Sequence, residues 1–353
     1  MRSTTGIAAI TLGIAFLQAL SVEAQTHVVR SSVGPRGLAL LAARDGYQVE
    51  TPEGESTPLN PAQGSRLSAL SELPTGWIVA GERLIEDGGE LILLTQEAGA
   101  RRAIIEPEGR FGFRRAPVLF VDQGQLAGLA WLEGDGGEMN AVMSSRRTDD
   151  GWEGIQIVSP FSGHAQLAPA GAVLEDGSWL LVWAAVDGED DEIMWSRFDG
   201  SAWSPAARLH PDNSVPDIVP AVTAVSRGAL VAWSQDDGKD YRLKIARFEH
   251  GTWRDTGFVG EEGSLYPTVF ATGNSGGFFY QTVTPREWVL LEVAPHGHVV
   301  RRAAVARLAA ARPTLMYEEG RVRALRYLDD EVDPREASRG VEVELKWLPE
   351  SKP

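Results

Sequence analysis

The 353-residue chain contains no cysteine. Disulfides, thiolate metal sites, thiol nucleophiles and a lipid-bearing cysteine are thereby excluded, and packing alone must hold the fold together. Positive charge is also scarce: 33 Lys and Arg stand against 49 Asp and Glu, a net charge of −16. Such a surface repels nucleic acid and anionic membranes, so neither is an expected partner. It suits cations, basic proteins or neutral sugars. Past residue 25 no apolar run is long enough to cross a bilayer. No G-x-S-x-G, Walker or dinucleotide fingerprint occurs. Helical periodicity is rare too, and only "VVRRAAVARLAAA" (299–311) reads as a short helix.

What is present begins with a leader. Arg2, the apolar "GIAAITLGIAFLQAL" (6–20) and the small-residue exit "VEA" (22–24) read as a secretory signal over residues 1–25, or as an N-terminal anchor if it is retained. Its removal takes one Arg and one Glu and leaves the charge balance unchanged. The expected product is a secreted or periplasmic monomer with no membrane insertion.

A period dominates the remainder. Pro117, Pro169, Pro220, Pro267 and Pro313 recur at intervals of 52, 51, 47 and 46 residues, each at the head of a short apolar run. An aromatic follows 13 or 14 residues later: Trp131, Trp183, Trp233, Tyr280 and Tyr327. Polar, glycine-bearing turns such as "EDGS" (175–178) lie between, which is hairpin chemistry. One unit reads as four strands: A "AGAVL" (170–174), B "SWLLVWAAV" (178–186), C "EIMWSRF" (192–198) and D "WSPAARL" (203–209). An earlier unit without the proline spans 66–107.

Four-stranded units at this period predict an all-β, six-bladed β-propeller. In that scheme the last blade takes its outer strand from 27–33 or 37–46, closing the ring with both chain ends. Seven blades is the alternative, with 27–63 as a partial blade. The expected domains are the signal (1–25), an N-terminal closing segment (26–64), the propeller (65–349) and a tail (350–353).

The turns between strands C and D share an outline. "SRFDGSAW" holds Ser196, Asp199, Gly200 and Trp203. "ARFEHGTW" keeps Gly251 and Trp253, and "TDDGW" keeps Asp149, Gly151 and Trp152. Asp and Ser accept backbone N–H bonds in turns, Gly permits a positive φ, and Trp covers the hairpin. These turns resemble the Asp-box (BNR) repeats of the sialidase-like six-bladed propellers, Ser-x-Asp-x-Gly-x-x-Trp, in degenerate form over about residues 65–348. The acid, Asp199, stands one position late. The resemblance implies the blade architecture. In sialidases it would also imply three arginines, a Tyr–Glu nucleophile pair and an Asp acid/base. Arg115, before Ala116-Pro117, and Arg36 are the nearest strings to the first arginine motif, with Arg242 and Arg286 for the others. Tyr241, Tyr266 and Tyr280 are available, but no sequence pattern ties one to a glutamate.

In a propeller the B–C loops and D-to-A connections share the ligand face. The B–C loops are acidic, as in "DGEDDE" (187–192) and "QDDGKD" (235–240), and fit a cation or a basic partner. None has an EF-hand spacing, so Ca²⁺ is at most a weak ligand. "HGH" (296–298) lacks a third ligand, so zinc and other metals are not expected. Counting back from the prolines, Arg114, Arg115, His164, Gln166, Asp217, Tyr266 and Arg312 frame the expected pocket, suited to a carbohydrate or other small polar ligand. The in-phase Trp131, Trp183 and Trp233 are assigned to packing between blades. The expected function is a non-catalytic, exported binding protein that needs no cofactor. An exo-acting glycoside hydrolase and an acidic scaffold for a basic protein are the alternatives.

Overall fold

A computed structural model describes residues 38–347, apart from 44–45, 52–54, 110–111, 136–138, 160–163, 187, 273–274, 283–286, 295–297, 306–313, 319–320, 326–340 and 344. The leader, Arg36, Arg286, His296 and Arg312 lie outside the described residues. No described helix is long and apolar enough to cross a membrane.

Among the described residues the regular structure is strand, folded into seven antiparallel sheets. The first is β1 (Ala39–Ala43), β2 (Gly46–Glu50) and β3 (Ser56–Leu59). The second is β4 (Ser65–Leu73), β5 (Gly76–Ile85), β6 (Gly88–Glu97) and β7 (Ala100–Ile104). In the third, β8 (Phe113–Asp122), β9 (Gln125–Gly134) and β10 (Ala141–Thr148) are edged by β11 (Gly151–Trp152) and β12 (Gln156–Ser159). The fourth is β13 (Gln166–Val173), β14 (Trp179–Val186), β15 (Asp191–Phe198) and β16 (Ala207–Arg208). The fifth is β17 (Asp217–Val225), β18 (Gly228–Asp236), β19 (Tyr241–Glu249) and β20 (Thr252–Phe258). The sixth is β21 (Ser264–Thr272), β22 (Ser275–Thr282), β23 (Trp288–Val293) and β24 (Val299–Val305). The seventh is β25 (Thr314–Glu318), β26 (Arg321–Leu325) and β27 (Val341–Val343), while β28 (Leu345–Trp347) joins the outer edge of the sixth at β24.

The first strands of successive sheets, β4, β8, β13, β17 and β21, lie against one another in chain order. Each sheet therefore packs on the next through its inner edge and its faces. The apolar clusters sit in these seams. One joins Phe120 and Val142 to Trp179 and Trp183, the next Leu180 and Ile193 to Val231 and Trp233, and the next Leu230 and Ile245 to Phe278 and Tyr280. Trp131, Trp183, Trp233 and Tyr280 are all 0% exposed. The packing role expected of the in-phase tryptophans is thus the one they have.

Three expectations need correction. The segment 299–305 is a strand, β24, and not the start of a helix. Val299 and Val300 favour extended backbone, and the open edge of β23 supplies a ladder. The segment 39–43 does not complete the last unit. It pairs with β2, and β2 with β3, in a sheet of its own that packs Leu40, Val49 and Leu59 on Leu67, Trp77 and Val79. Of the strand expected across 341–348, Val341–Val343 pairs with β26 and Leu345–Trp347 with β24.

The recurring proline also sits deeper than expected. In the described units it does not open strand A but lies three residues inside it, or four in the case of Pro117. Ala116, Ala168, Val219 and Tyr266, each just before a proline, have φ of 50, 46, 52 and 57°. Each falls where the A–B ladder slips, between Arg115 and Val118, Leu167 and Ala170, Ile218 and Ala221, and Leu265 and Thr268. Proline cannot donate to a ladder, and a bulge is where no donor is needed. The period read from the prolines is therefore the period of an inner-strand bulge.

Candidate functional site at a seam between two sheets

The B-strand tryptophans bury an indole N–H, which must find an acceptor. Trp131 Nε1 donates to Glu133 Oε2 at 2.6 Å, Trp183 Nε1 to Gln166 Oε1 at 2.7 Å and Trp233 Nε1 to Asp217 Oδ1 at 2.5 Å. Tyr280 OH donates to Glu261 Oε2 at 2.6 Å. Gln166 and Asp217, chosen from the sequence as pocket residues, are thus buried caps on these aromatics.

The pairing registers place Arg114, Gln166 and Asp217 at one repeated position, opposite Glu133, Ala185 and Gln235, each two residues past an in-phase tryptophan. Two further positions complete each seam, one on strand C and one at or past the end of strand D. At the first seam these are Glu90 and Glu106 beside Arg114. At the second they are Ala141 and Ser159 beside Gln166. At the third they are Glu192 and His210 beside Asp217.

The third seam is a cluster of titratable groups. Glu192, His210 and Asp217 are 1%, 8% and 0% exposed. His210 Nε2 stands 3.0 Å from Asp217 Oδ2 and 3.8 Å from Glu192 Oε2. The 3.0 Å approach is poorly aligned for a hydrogen bond, and Nε2 and Glu192 Oε2 lack a well-formed one. The His210 ring stacks on Trp233, with centroids 5.5 Å apart and planes 4° from parallel. Gln235 Nε2 and Asn213 Nδ2 donate to Asp217 at 2.7 and 2.8 Å. Burial, opposed by the Asn213 N–H and by His210, pushes the Glu192 carboxyl up to about 7. Burial alone would lower the His210 pKa, but Asp217 more than offsets it and the net shift is upward.

The other residues chosen from the sequence fall elsewhere. Arg114 is taken by Glu106 at 2.9 Å and by the Pro107 carbonyl at 2.9 Å. Arg115 is half-buried, and its Nε has no partner. His164 is exposed and Tyr266 half-buried. Arg242 donates to the Gly260 carbonyl and lies over Phe258, 4.9 Å from the ring centroid. Burial raises the Tyr241 hydroxyl to about 12. The tyrosine–glutamate pair missing from the sequence pattern is Tyr280–Glu261. Its phenol is buried, with its pKa pushed up, the reverse of an activated nucleophile.

The turns between strands C and D do structural work. Asp199 Oδ1 accepts from the backbone N–H groups of Ser201 and Ala202 at 2.8 and 2.9 Å, which lowers its pKa to about 2. Gly200 has φ +101°. Ser196 does not accept, as the sequence suggested, but donates to the Ser204 carbonyl at 2.7 Å. Trp203 and Trp152 each reach the preceding sheet, Trp203 Nε1 donating to Ser144 Oγ and Trp152 Nε1 to the Ile105 carbonyl, both at 2.6 Å. Trp253 packs on Trp195 and Phe248, and Gly251 again has a positive φ, +81°.

At the opposite end of the inner strands is a depression of about 650 Å³. Asp122, Glu175, Asp176 and Ser226, from the A–B turns of three successive sheets, line it.

Consecutive four-stranded antiparallel sheets of this kind define a propeller-type all-β protein. No family model and no curated protein sequence matches the chain. Solved structures do. A protein of unknown function from Dyadobacter fermentans aligns with TM-score 0.53 and 13% identity, over 75% of this chain and 91% of that one. A prolyl endopeptidase aligns with TM-score 0.51 and 14% identity, over 99% and 55%. A puromycin-hydrolysing peptidase from Mycobacterium tuberculosis aligns with TM-score 0.50 and 16% identity, over 84% and 49%. The chain thus spans about half of each peptidase, and at these identities the likeness concerns the fold alone.

Proposed function

We propose that this chain is an exported, non-catalytic propeller that binds a small polar ligand, a carbohydrate in the first instance, where the inner strands begin. One observation carries the reading. Positions that pack repeat from unit to unit, whereas the polar position beside them changes every time: Arg114, Gln166, Asp217, then Ser264. These side chains are buried or already bonded, so they support the site from behind and leave contact with a ligand to their exposed neighbours. Arg115, His164 and Tyr266 lie at the same end and reach solvent. Against hydrolysis stand the buried Tyr280 phenol and the engagement of Arg114 and Arg242 by protein acceptors.

A glycan array on the mature chain, with a fluorogenic sialoside assay beside it, tests this. Glycan binding that is lost in Arg115→Ala, without turnover, is the expected result. Sialoside turnover lost in the same variant would replace the reading with the hydrolase. The acidic depression at the other end favours a second reading, a scaffold for a basic protein. A complex that weakens steeply with salt and with Glu175→Gln would support it.

We also infer seven units, the three-stranded sheets at 39–59 and 314–343 meeting to close the ring. The cysteine-free background permits a direct check. Single cysteines placed at Gln48 and Arg323 should crosslink through a short bifunctional reagent only if the ring closes.

A further inference from the structure

We propose that Glu192, His210 and Asp217 form a divalent-cation site of the zinc class that pins the fourth sheet to the fifth. The ligand atoms would be Glu192 Oε2, His210 Nε2 and Asp217 Oδ2, which lie within 4.8 Å of one another.

The argument starts from the imidazole. His210 Nδ1 is 2.8 Å from the Pro211 carbonyl oxygen, which can only accept, so Nδ1 carries the hydrogen. The other nitrogen, Nε2, faces two carboxylate oxygens. With Nε2 deprotonated, three acceptors meet in a buried space, and something positive, a proton on Nε2 or a cation in its place, must lie between them. Glu192 Oε2 is the plainest sign, a carboxylate oxygen of a residue 1% exposed with no hydrogen-bond partner.

The remaining lone pairs are held from outside, which aims the free ones inward. Glu192 Oε1 accepts from the Asn213 N–H at 3.3 Å. Asp217 Oδ1 accepts from Trp233 and Gln235, and Asn213 Nδ2 steadies Oδ2. Outer partners of this sort orient metal ligands. The Nε2 separations of 3.0 and 3.8 Å bracket the roughly 3.3 Å edge of a tetrahedron with ligand bonds of about 2.0–2.1 Å. An imidazole among the ligands favours zinc-class ions over Ca²⁺ and Mg²⁺, which prefer all-oxygen shells.

The neighbouring seams strengthen the case. The first holds two carboxylates, Glu90 and Glu106, and answers them with Arg83 and Arg114. The second is neutral, with Ala141, Ser159 and Gln166. The third has two carboxylates and no arginine among its partners. Its ligands come from β15, from the connection after β16 and from β17, so one ion would tie two sheets. Three protein ligands leave one position of a tetrahedron, which a single water would fill in this buried pocket.

The experiment uses the mature chain, stripped with a chelator and dialysed against Zn²⁺, Ca²⁺ or Mg²⁺. Metal content, Tm and the visible spectrum of the Co²⁺ form are read. We expect one tightly held Zn²⁺ per chain, a Tm raised by several degrees with Zn²⁺ and not with Ca²⁺ or Mg²⁺, and a four-coordinate Co²⁺ spectrum. Glu192→Gln keeps the side-chain shape and should fold, judged by circular dichroism, yet lose affinity by more than about tenfold, since even outer partners cost that much. Asp149→Asn, at a distant exposed turn, should bind like the parent chain. Proton-only chemistry in the cluster would leave substoichiometric Zn²⁺ and an unmoved Tm, and would overturn the proposal. Zinc held equally well by Glu192→Gln would also overturn it.

Discussion

The first and third seams occupy equivalent places and solve one problem differently. Both bring two carboxylates into a half-dry crevice between sheets. At Glu90–Glu106–Arg114 a guanidinium sits 2.9 Å from Glu106. Burial still raises the Glu106 pKa, with Arg114 the chief opposing influence. At Glu192–His210–Asp217 the facing group is an imidazole, with Lys244 farther off and held by Asp255, and Glu192 rises to about 7. Architecture sets where a polar group falls. Its chemistry is left free, and one repeated position serves as an ion pair, an amide cap or a carboxylate cluster.

The comparison can be broken hardest at the aromatic behind the third seam. Trp233→Ala should remove about 3–5 kcal/mol, as large core truncations do, measured by urea unfolding. Trp183→Ala should match it, because packing repeats where polar chemistry does not. Next comes Arg114→Met, which leaves Glu106 without its partner. With Arg114 about one-seventh exposed (14%), a loss of roughly 2–3 kcal/mol is expected, below that of a fully buried pair. The loss should shrink on acidification as Glu106 takes up a proton.

Trp→Phe exchanges sharpen the difference in acceptors. Trp233→Phe takes a donor from the Asp217 carboxyl group and should cost about 1.5–3 kcal/mol. Trp183→Phe takes one from the Gln166 amide and should cost nearer 1 kcal/mol. Equal costs would show that the acceptor's charge does not matter at these seams.

In metal-free protein the third seam should also give a pH slope. Glu192 has its folded pKa raised from 4.5 to about 7, so between those values the unfolded chain has lost a proton that the folded chain keeps. Stability then falls as pH rises across that window. His210, raised above 6.5, contributes in the same direction: its stabilisation is complete below 6.5 and is lost as pH climbs through the folded value. Unfolding measured from pH 4.5 to 8 should show this slope, and Glu192→Gln should flatten its acidic part. The smallest effect is expected at Asp199. Its pKa falls from 3.8 to about 2, so its contribution is present above pH 3.8 and disappears as pH drops through 2. Asp199→Ala should flatten stability across that acid range and lower it slightly at neutral pH, where the bonds from Ser201 and Ala202 are otherwise in place.

Much of the fold was legible because packing in a repeated sheet is periodic in sequence. The tryptophan at 131, 183 and 233 must meet each neighbour at the same depth, so its spacing survives. The proline marked the unit equally well, though for a different reason: it fills a bulge inside the inner strand. Trp203 was legible as a hairpin cover, but its bond to Ser144 of the preceding sheet was not, since no local pattern encodes a contact 59 residues away. Residues 37–46 were expected to complete the last unit or to belong to a partial blade over 27–63, and the separate sheet at 39–59 fits the second; sequence could not choose because any short apolar strand can complete an open edge. The site was legible in one part. Asp217 stood out by its place before a proline, whereas Glu192 looked like the end of an acidic loop and no pattern marked His210.

The sequence by itself determined the strand class, the unit length and the aromatic seams, because hydrophobic burial on a regular repeat leaves a regular trace. Only the tertiary structure decided that a glutamate from one sheet, a histidine from a connection and an aspartate from the next sheet share a single dry pocket. Chain spacing holds no record of such a meeting. It arises from how neighbouring sheets press together, and the electrostatics of burial then give those three residues their chemistry.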